Sequence, residues 1–279
     1  MLLVKAPLHS LRKTKIFRYL MTTTINKPKL CNLGFDHSVA LRPLTHASIL
    51  LGKNKLEPNI RKLTIKICLE LKLKNLPICF LDVGANVGLY SWEVHKLQTK
   101  LKIFSFEPDP MNLELLNMTC ERNNLQNIKI YPFALSNRSA HTGFFQDHLT
   151  SATGSISQKT SPWIEQYLNG KSKKITVETK KMDKIVGNDN HPGLVKIDVE
   201  GHEYEVIQGG LKTIKKYKPL MIIESFPPKQ ENITKILSEI GYKLLDADRH
   251  TSIDSQTTNL FAWHPKGSIE EASIEKLIN

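Results

Sequence analysis

The densest group of reactive side chains lies in eight consecutive residues, Lys196 to Glu203, which read KIDVEGHE. They hold one Lys, one His and three carboxylates, at the mouth of an apolar run. Strand periodicity puts Lys196, Asp198 and Glu200 on one face. Such a group can take a proton from a substrate or hold an acceptor. By their location Asp198, Glu200 and His202 are the candidate catalytic residues. Other roles are open at the same positions: Glu203 capping the next helix, His202 as an exposed polar residue, and Lys196–Glu200 as an ion pair. Asp, Glu and His also ligate hard cations. No second acidic pair completes an octahedral set here, so no metal is expected. Glu224 is a further acid on the same rim.

The second chemical feature is DVGANVG, Asp82 to Gly88, between an apolar run and a helical stripe. Glycines there let backbone approach a ligand closely. A nicotinamide fingerprint would be G-x-G-x-x-G, and this chain has Asn86 and Leu89 where the second and third glycines belong. S-adenosylmethionine carries an ammonium and a sulfonium and no phosphate, so an acid beside the loop is useful to it. Asp82 fits near the ammonium. Glu107 follows at the end of the next apolar run, where a carboxylate accepts both ribose hydroxyls of an adenosine-containing ligand. Ala134, Leu135 and Ser136 end the third run, on the adenine edge; with no Asp there, contacts fall to backbone or Ser136.

These residues need strands to hold them. ICFLDVG (78–84), KIFSFEP (102–108), IKIYPFALS (128–136), LVKIDVEG (194–201) and PLMIIES (219–225) read as buried parallel strands separated by helical patterns. YKLLDAD and TNLFAWH read as two final strands that pair antiparallel. Asp109 followed by Pro110 marks a helix start, and Gly241 a helix end. The expected fold is a doubly wound, seven-stranded α/β sheet, Rossmann-like, with ligands beyond the carboxyl ends of its strands. The stretch 137–192, with aromatics at Phe144, Phe145, Trp163 and Tyr167, is too long for a simple crossover and reads as an insertion over the sheet.

Taken together, FLDVGANVGLYS, FEPDP with NNLQNIKIYPFALSN, VKIDVEGHEYEVIQGG and PLMIIES…IGYKLLD resemble the FkbM family of methyltransferases. The likeness runs over about 78–247. It implies methyl transfer from S-adenosylmethionine, usually to a hydroxyl oxygen on a sugar, glycolipid or secondary metabolite. Asp82, Gly84, Asn86 and Gly88 match the family's donor loop, Glu107 its ribose acid, and Asp198, Glu200 and Glu203 its second motif. No firm catalytic base comes with it. The alternatives are a nicotinamide-nucleotide-binding protein and a Rossmann-like module without catalysis.

The chain has 279 residues and a formal net charge of +12, of which residues 1–35 carry +7 without an acid. A basic head on a nearly balanced body reads as a solvated tail rather than a nucleic-acid surface. The position after the fourth strand reads DVEG, not the Asn/Asp-Pro-Pro-aromatic pattern of base amino-methylation, and none of the four Cys follows a Pro. The expected partner is therefore a small-molecule or glycan hydroxyl acceptor, with no nucleic acid. No apolar stretch reaches the ~20 residues of a membrane span, and Cys usage fits a reducing, cytoplasmic setting. The expected organisation is a basic extension over 1–60, a methyltransferase domain over 61–264 and a tail over 265–279.

Overall fold

The computed structural model describes residues 9–73, 78–97, 101–156, 172–186 and 190–278. In chain order its strands are β1 (Lys29–Cys31), β2 (Val39–Leu41), β3 (Ile78–Val83), β4 (Lys102–Phe106), β5 (Ile128–Tyr131), β6 (Ala134–Leu135), β7 (Ala140–Gln146), β8 (Lys173–Lys180), β9 (His191–Ile197), β10 (Leu220–Glu224), β11 (Lys243–Asp246) and β12 (Asn259–Trp263).

Seven of them form one sheet in the order β11-β12-β10-β9-β3-β4-β5. The strands from β10 to β5 run parallel to one another, and β12 lies antiparallel to both β10 and β11. Alternation along β3 explains why it reads as one apolar run. Ile78 and Phe80 pack with Ile60, Leu63 and Ile67 of the helix Pro58–Leu73 on one face. Cys79, Leu81 and Val83 pack with Val206 and Ile207 on the other. All six residues are buried, as expected of a strand covered on both sides. Asp109 caps the helix Pro110–Asn123 by accepting from the Met111 N–H at 2.8 Å. Gly241, at φ +89°, ends the helix Gln230–Glu239.

One expected strand is divided. Residues 128–136 do not form a single element: β5 stops at Tyr131, Pro132 follows, and Ala134–Leu135 pairs instead with β8 in a three-stranded sheet, β6-β8-β7. Proline has no N–H to continue a central ladder. Within 137–192, β7 and β8 form an antiparallel pair; Trp163 and Tyr167 lie outside the described residues.

The N-terminal stretch differs from a solvated tail over its described part. Arg12 is 1% exposed and donates to the Thr45 carbonyl at 3.0 Å. Asn26, also buried, accepts from the N–H groups of Leu44 (3.0 Å) and Thr45 (3.2 Å) and donates to Thr45 Oγ1 at 3.1 Å. β1 and β2 form a hairpin whose Val39, Ala40 and Leu41 pack with Trp92, Leu115 and Leu116. At the other end the helix Glu271–Ile278 buries Ile274 and Leu277 beside Ile60 and Leu63. Among the described residues no helix is long and apolar enough to cross a membrane.

Candidate active site

Three left-handed residues shape the loop after β3: Gly84 (φ +83°), Asn86 (φ +52°) and Gly88 (φ +85°). The conformation suits Gly and is tolerated by Asn. The N–H groups of Gly84 and Ala85 both donate to the Phe106 carbonyl at 3.0 Å, which ties the loop to β4. A Cβ on Gly84 would collide with the backbone carbonyl of Asp198. The loop after β3 and the acid motif after β9 therefore meet closely at this backbone, with the Val199 side chain beside it.

Asp82 departs from its expected place. Strand alternation sends its side chain to the face of Ile78 and Phe80, beneath the helix Leu89–Lys96. There its carboxylate accepts from the Ser91 N–H (3.1 Å) and O–H (2.6 Å). It lines neither of the chambers described below. Its observed work is to anchor the helix that the loop begins.

Glu107 is buried, and its carboxylate accepts from the N–H groups of Asn86 (2.7 Å) and Asp109 (2.8 Å). Burial pushes its carboxyl up to about 8. With Gly84 and Asn86 it borders an open chamber, about 630 Å³ counting the space continuous with solvent, beyond the carboxyl ends of β3 and β4. Asn86 Oδ1 is a buried oxygen without a partner on this wall. His202 closes the opposite end, its Nε2 2.9 Å from Ser136 Oγ. Ser136 supports that ring and does not itself line the chamber.

A second chamber, of about 950 Å³, lies on the other side of the loop and shares Gly84, Asn86, Ala152, Asp198 and Glu200 with the first. His202 does not line it and meets Asp198 and Glu200 only around the first chamber. Asp198, Glu200 and Glu224 bring carboxylate oxygens within 4.8 Å of one another. Glu224 of β10, expected as a further acid on this rim, completes a trio. These are donors of the kind a hard cation takes, and Lys196 Nζ already sits 2.7 Å from Asp198. The predicted Lys196–Glu200 pairing gives way to this one. Lys196 also lies 4.2 Å above the Tyr90 ring, whose hydroxyl donates to Glu57 at 2.8 Å.

Charge is unevenly shared in the trio. Burial alone would raise Asp198, but Lys196 and a hydrogen bond from Glu224 hold it below the usual carboxylate range. Burial and the Asp198 charge push Glu200 and Glu224 well above it. Asp198 is the ionised member, and Glu224 is the protonated donor to it. Glu203 is the first residue of the helix Glu203–Gly209 and folds back to accept from the Gly201 N–H at 2.6 Å, ahead of the helix, so it does not supply a side-chain cap.

The outer wall of the second chamber comes from Thr45, His46, Ser48, Ile49, Leu56 and Glu57. Nothing in the sequence singled these out. Tyr90 was legible only as part of an apolar helical stripe. His46 is 3% exposed, and burial lowers its imidazole to about 4.

Comparison with known proteins gives a consistent grouping. The Methyltransferase FkbM domain matches residues 82–244. Hexuronic acid methyltransferase AglP of Haloferax volcanii is 28% identical over 165 residues, covering 57% of this chain and 60% of AglP. The 2-O-methyltransferase NoeI of Sinorhizobium fredii is 28% identical over 146 residues, covering 49% of this chain and 58% of NoeI. The crystal structure of methyltransferase FkbM from Methylobacillus flagellatus has 17% identity and a TM-score of 0.47, covering 67% of this chain and 43% of that one. The chain thus spans about three fifths of the length of the curated relatives just named. With the family's domain matched over more than half of its residues, this chain belongs to the FkbM methyltransferases.

Proposed function

We propose that this chain methylates a hydroxyl oxygen on a sugar, glycolipid or secondary metabolite, using S-adenosylmethionine as donor. The observation that carries the reading is the pair of chambers meeting at Gly84, Asn86, Asp198 and Glu200. A two-substrate transfer needs two sites with one shared wall, so that donor and acceptor meet in line. The family match and the names of two relatives, one a hexuronic acid methyltransferase and one a 2-O-methyltransferase, support it.

The residues of the first chamber fit the donor. Gly84 leaves room for a close backbone approach, Glu107 keeps lone pairs free for ribose hydroxyls, and Asn86 Oδ1 is an acceptor for the ammonium. Bound there, S-adenosylmethionine supplies an electrophilic methyl on a sulfonium, which leaves as a neutral thioether with the electron pair of the broken bond. Asp198 borders both chambers and is ionised, so it accepts the proton of the acceptor hydroxyl. Lys196 fixes the orientation of that carboxylate, and Glu224 hydrogen-bonds it. His202 and Ser136 are assigned to the adenine end of the donor rather than to proton transfer.

Calorimetric titration with S-adenosylhomocysteine tests the donor site. The expected Kd is ~100 μM or tighter, about −5.5 kcal/mol, weakened about tenfold in Glu107→Ala. No heat in the wild type, with NADH binding instead, overturns the proposal.

A further inference from the structure

The second chamber holds a feature that the methyl-transfer reading does not use. His46 Nε2 is buried without a partner in a residue 3% exposed, on the wall that faces the acid trio. The other ring nitrogen is committed: Nδ1 lies 3.1 Å from the Arg42 N–H. The Arg42 carbonyl, 3.2 Å from the same nitrogen, already accepts from the His46 N–H at 2.9 Å. Nδ1 is thus assigned as the acceptor, and the ring proton falls on Nε2. A buried donor left without an acceptor is costly, and it marks a position where a ligand oxygen belongs.

The charges around the chamber restrict that ligand. Glu57, Asp198, Glu200 and Glu224 border it, and Lys196 is the one Lys or Arg among its described lining residues. Lys196 is already paired with Asp198 at 2.7 Å and stacked on Tyr90. No free cation remains there to receive an acidic substrate, and a uronate carboxylate would be desolvated beside the Asp198 charge, which already holds Lys196. Hydroxyl groups suit the same surroundings: their protons go to the carboxylates, and their oxygens accept from His46. Ile49, Leu56 and Leu89 supply an apolar wall for ring C–H groups.

From this geometry we infer that the second chamber selects an uncharged, hydroxyl-rich acceptor over a uronate, with His46 as the specificity-determining residue that donates from Nε2 to an acceptor oxygen. The inference rests on the proposed methyl transfer and names the substrate class of the same site. It sets this chain apart from the relative named for hexuronic acid.

The test is saturation-transfer NMR on the full chain, with and without S-adenosylhomocysteine. The probes are the methyl glycosides of glucose, galactose, mannose, rhamnose and fucose, against the methyl glycosides of glucuronic and galacturonic acid. At least one neutral glycoside is expected to receive saturation, and both uronates at least about fivefold less. The neutral signal is expected to fall at least about fivefold in His46→Leu and to be partly restored in His46→Gln, which keeps an N–H donor. Equal or stronger uronate signals, a neutral signal indifferent to His46→Leu, or silence from every probe overturns the inference. If His46→Leu does not fold, the Asp198→Asn chain decides: it removes the carboxylate charge that faces a uronate and releases Lys196, so its uronate signal must rise about threefold or more. Saturation of a neutral glycoside without any S-adenosylhomocysteine binding would instead sink the donor assignment and keep the chamber.

Discussion

The two chambers share a wall but are built by different means. The first chamber, proposed for the donor, is made largely from backbone at strand ends: Gly84 against Asp198, the Phe106 carbonyl holding two loop N–H groups, and Glu107 clasping Asn86 and Asp109. The outer wall of the second, proposed for the acceptor, is a separate stretch, Thr45–Glu57, held by side chains reaching from earlier in the chain, Arg12 and Asn26 above all. A sheet end is rigid and set by pairing. A side-chain clasp fails when one residue changes. Damage to the first should therefore remove donor binding, and damage to the second should alter acceptor use while sparing the donor.

The largest effect is expected where the two parts touch. Gly84→Ala puts a Cβ into the Asp198 carbonyl in a left-handed backbone, so it should weaken S-adenosylhomocysteine at least about 100-fold, or about 2.7 kcal/mol, and lower the yield of folded protein. A Gly84→Ala chain with wild-type affinity would mean that the wall is soft. Next comes Asp198→Asn, which keeps the shape and removes the proton acceptor. Its kcat should fall about 100-fold or more, with the S-adenosylhomocysteine Kd within about threefold of wild type. A kcat within tenfold of wild type would take proton transfer away from Asp198.

A smaller effect separates the two constructions directly. Arg12→Ala removes a buried guanidinium from the Thr45 carbonyl and should cost about 2 kcal/mol of stability, or a few degrees of Tm. Acceptor KM should rise severalfold while donor affinity stays flat. Equal losses for both ligands would abolish the distinction. The smallest effect is a pH dependence. Glu107 in the folded chain titrates near 8, above its ordinary 4.5, so the folded state keeps a proton that the unfolded state loses. That makes stability fall as pH rises through this window. His46, lowered to about 4 from 6.5, acts oppositely below 6.5. From pH 6.5 to 8 the carboxyl acts without that opposition, and the Tm of the ligand-free protein should decline by a few degrees. A flat or rising Tm there would place Glu107 in a wetter site.

The same contrast governs what could be read from the residues. The donor loop, Glu107 and the acid motif were visible because each follows a strand directly, and strand ends carry their neighbours with them. All seven strands of the main sheet were recognisable as apolar runs, although β5 and β11, at its two edges, are only partly buried. Asp82 was misplaced because a loop acid and a strand acid look alike in sequence, while alternation sends this one under a helix. The third strand was drawn too long because Pro132 sits inside an otherwise continuous pattern. His46 and Glu57 gave no signal at all. They are polar residues in a basic, weakly patterned stretch, and they join the site only through folding of that stretch onto the body. Glu224 was seen as a rim acid, but its meeting with Asp198 depends on β10 lying beside β9, which spacing along the chain does not state.

The clasp formed by Asn26 has a consequence for how this protein changes over time. One amide holds the Leu44–Thr45 turn by two accepted and one donated hydrogen bond, and the turn in turn sets His46. Ile49 and Leu50 of the Thr45–Glu57 stretch pack against the cluster that holds Ala85 and Val87 of the loop after β3, so drift that keeps those two apolar contacts can vary the proposed acceptor wall without crossing a stability threshold at the loop. The hinge of that freedom is a single asparagine: descendants that keep it inherit a shaped pocket to vary, and those that lose it inherit a donor site with an undefined guest.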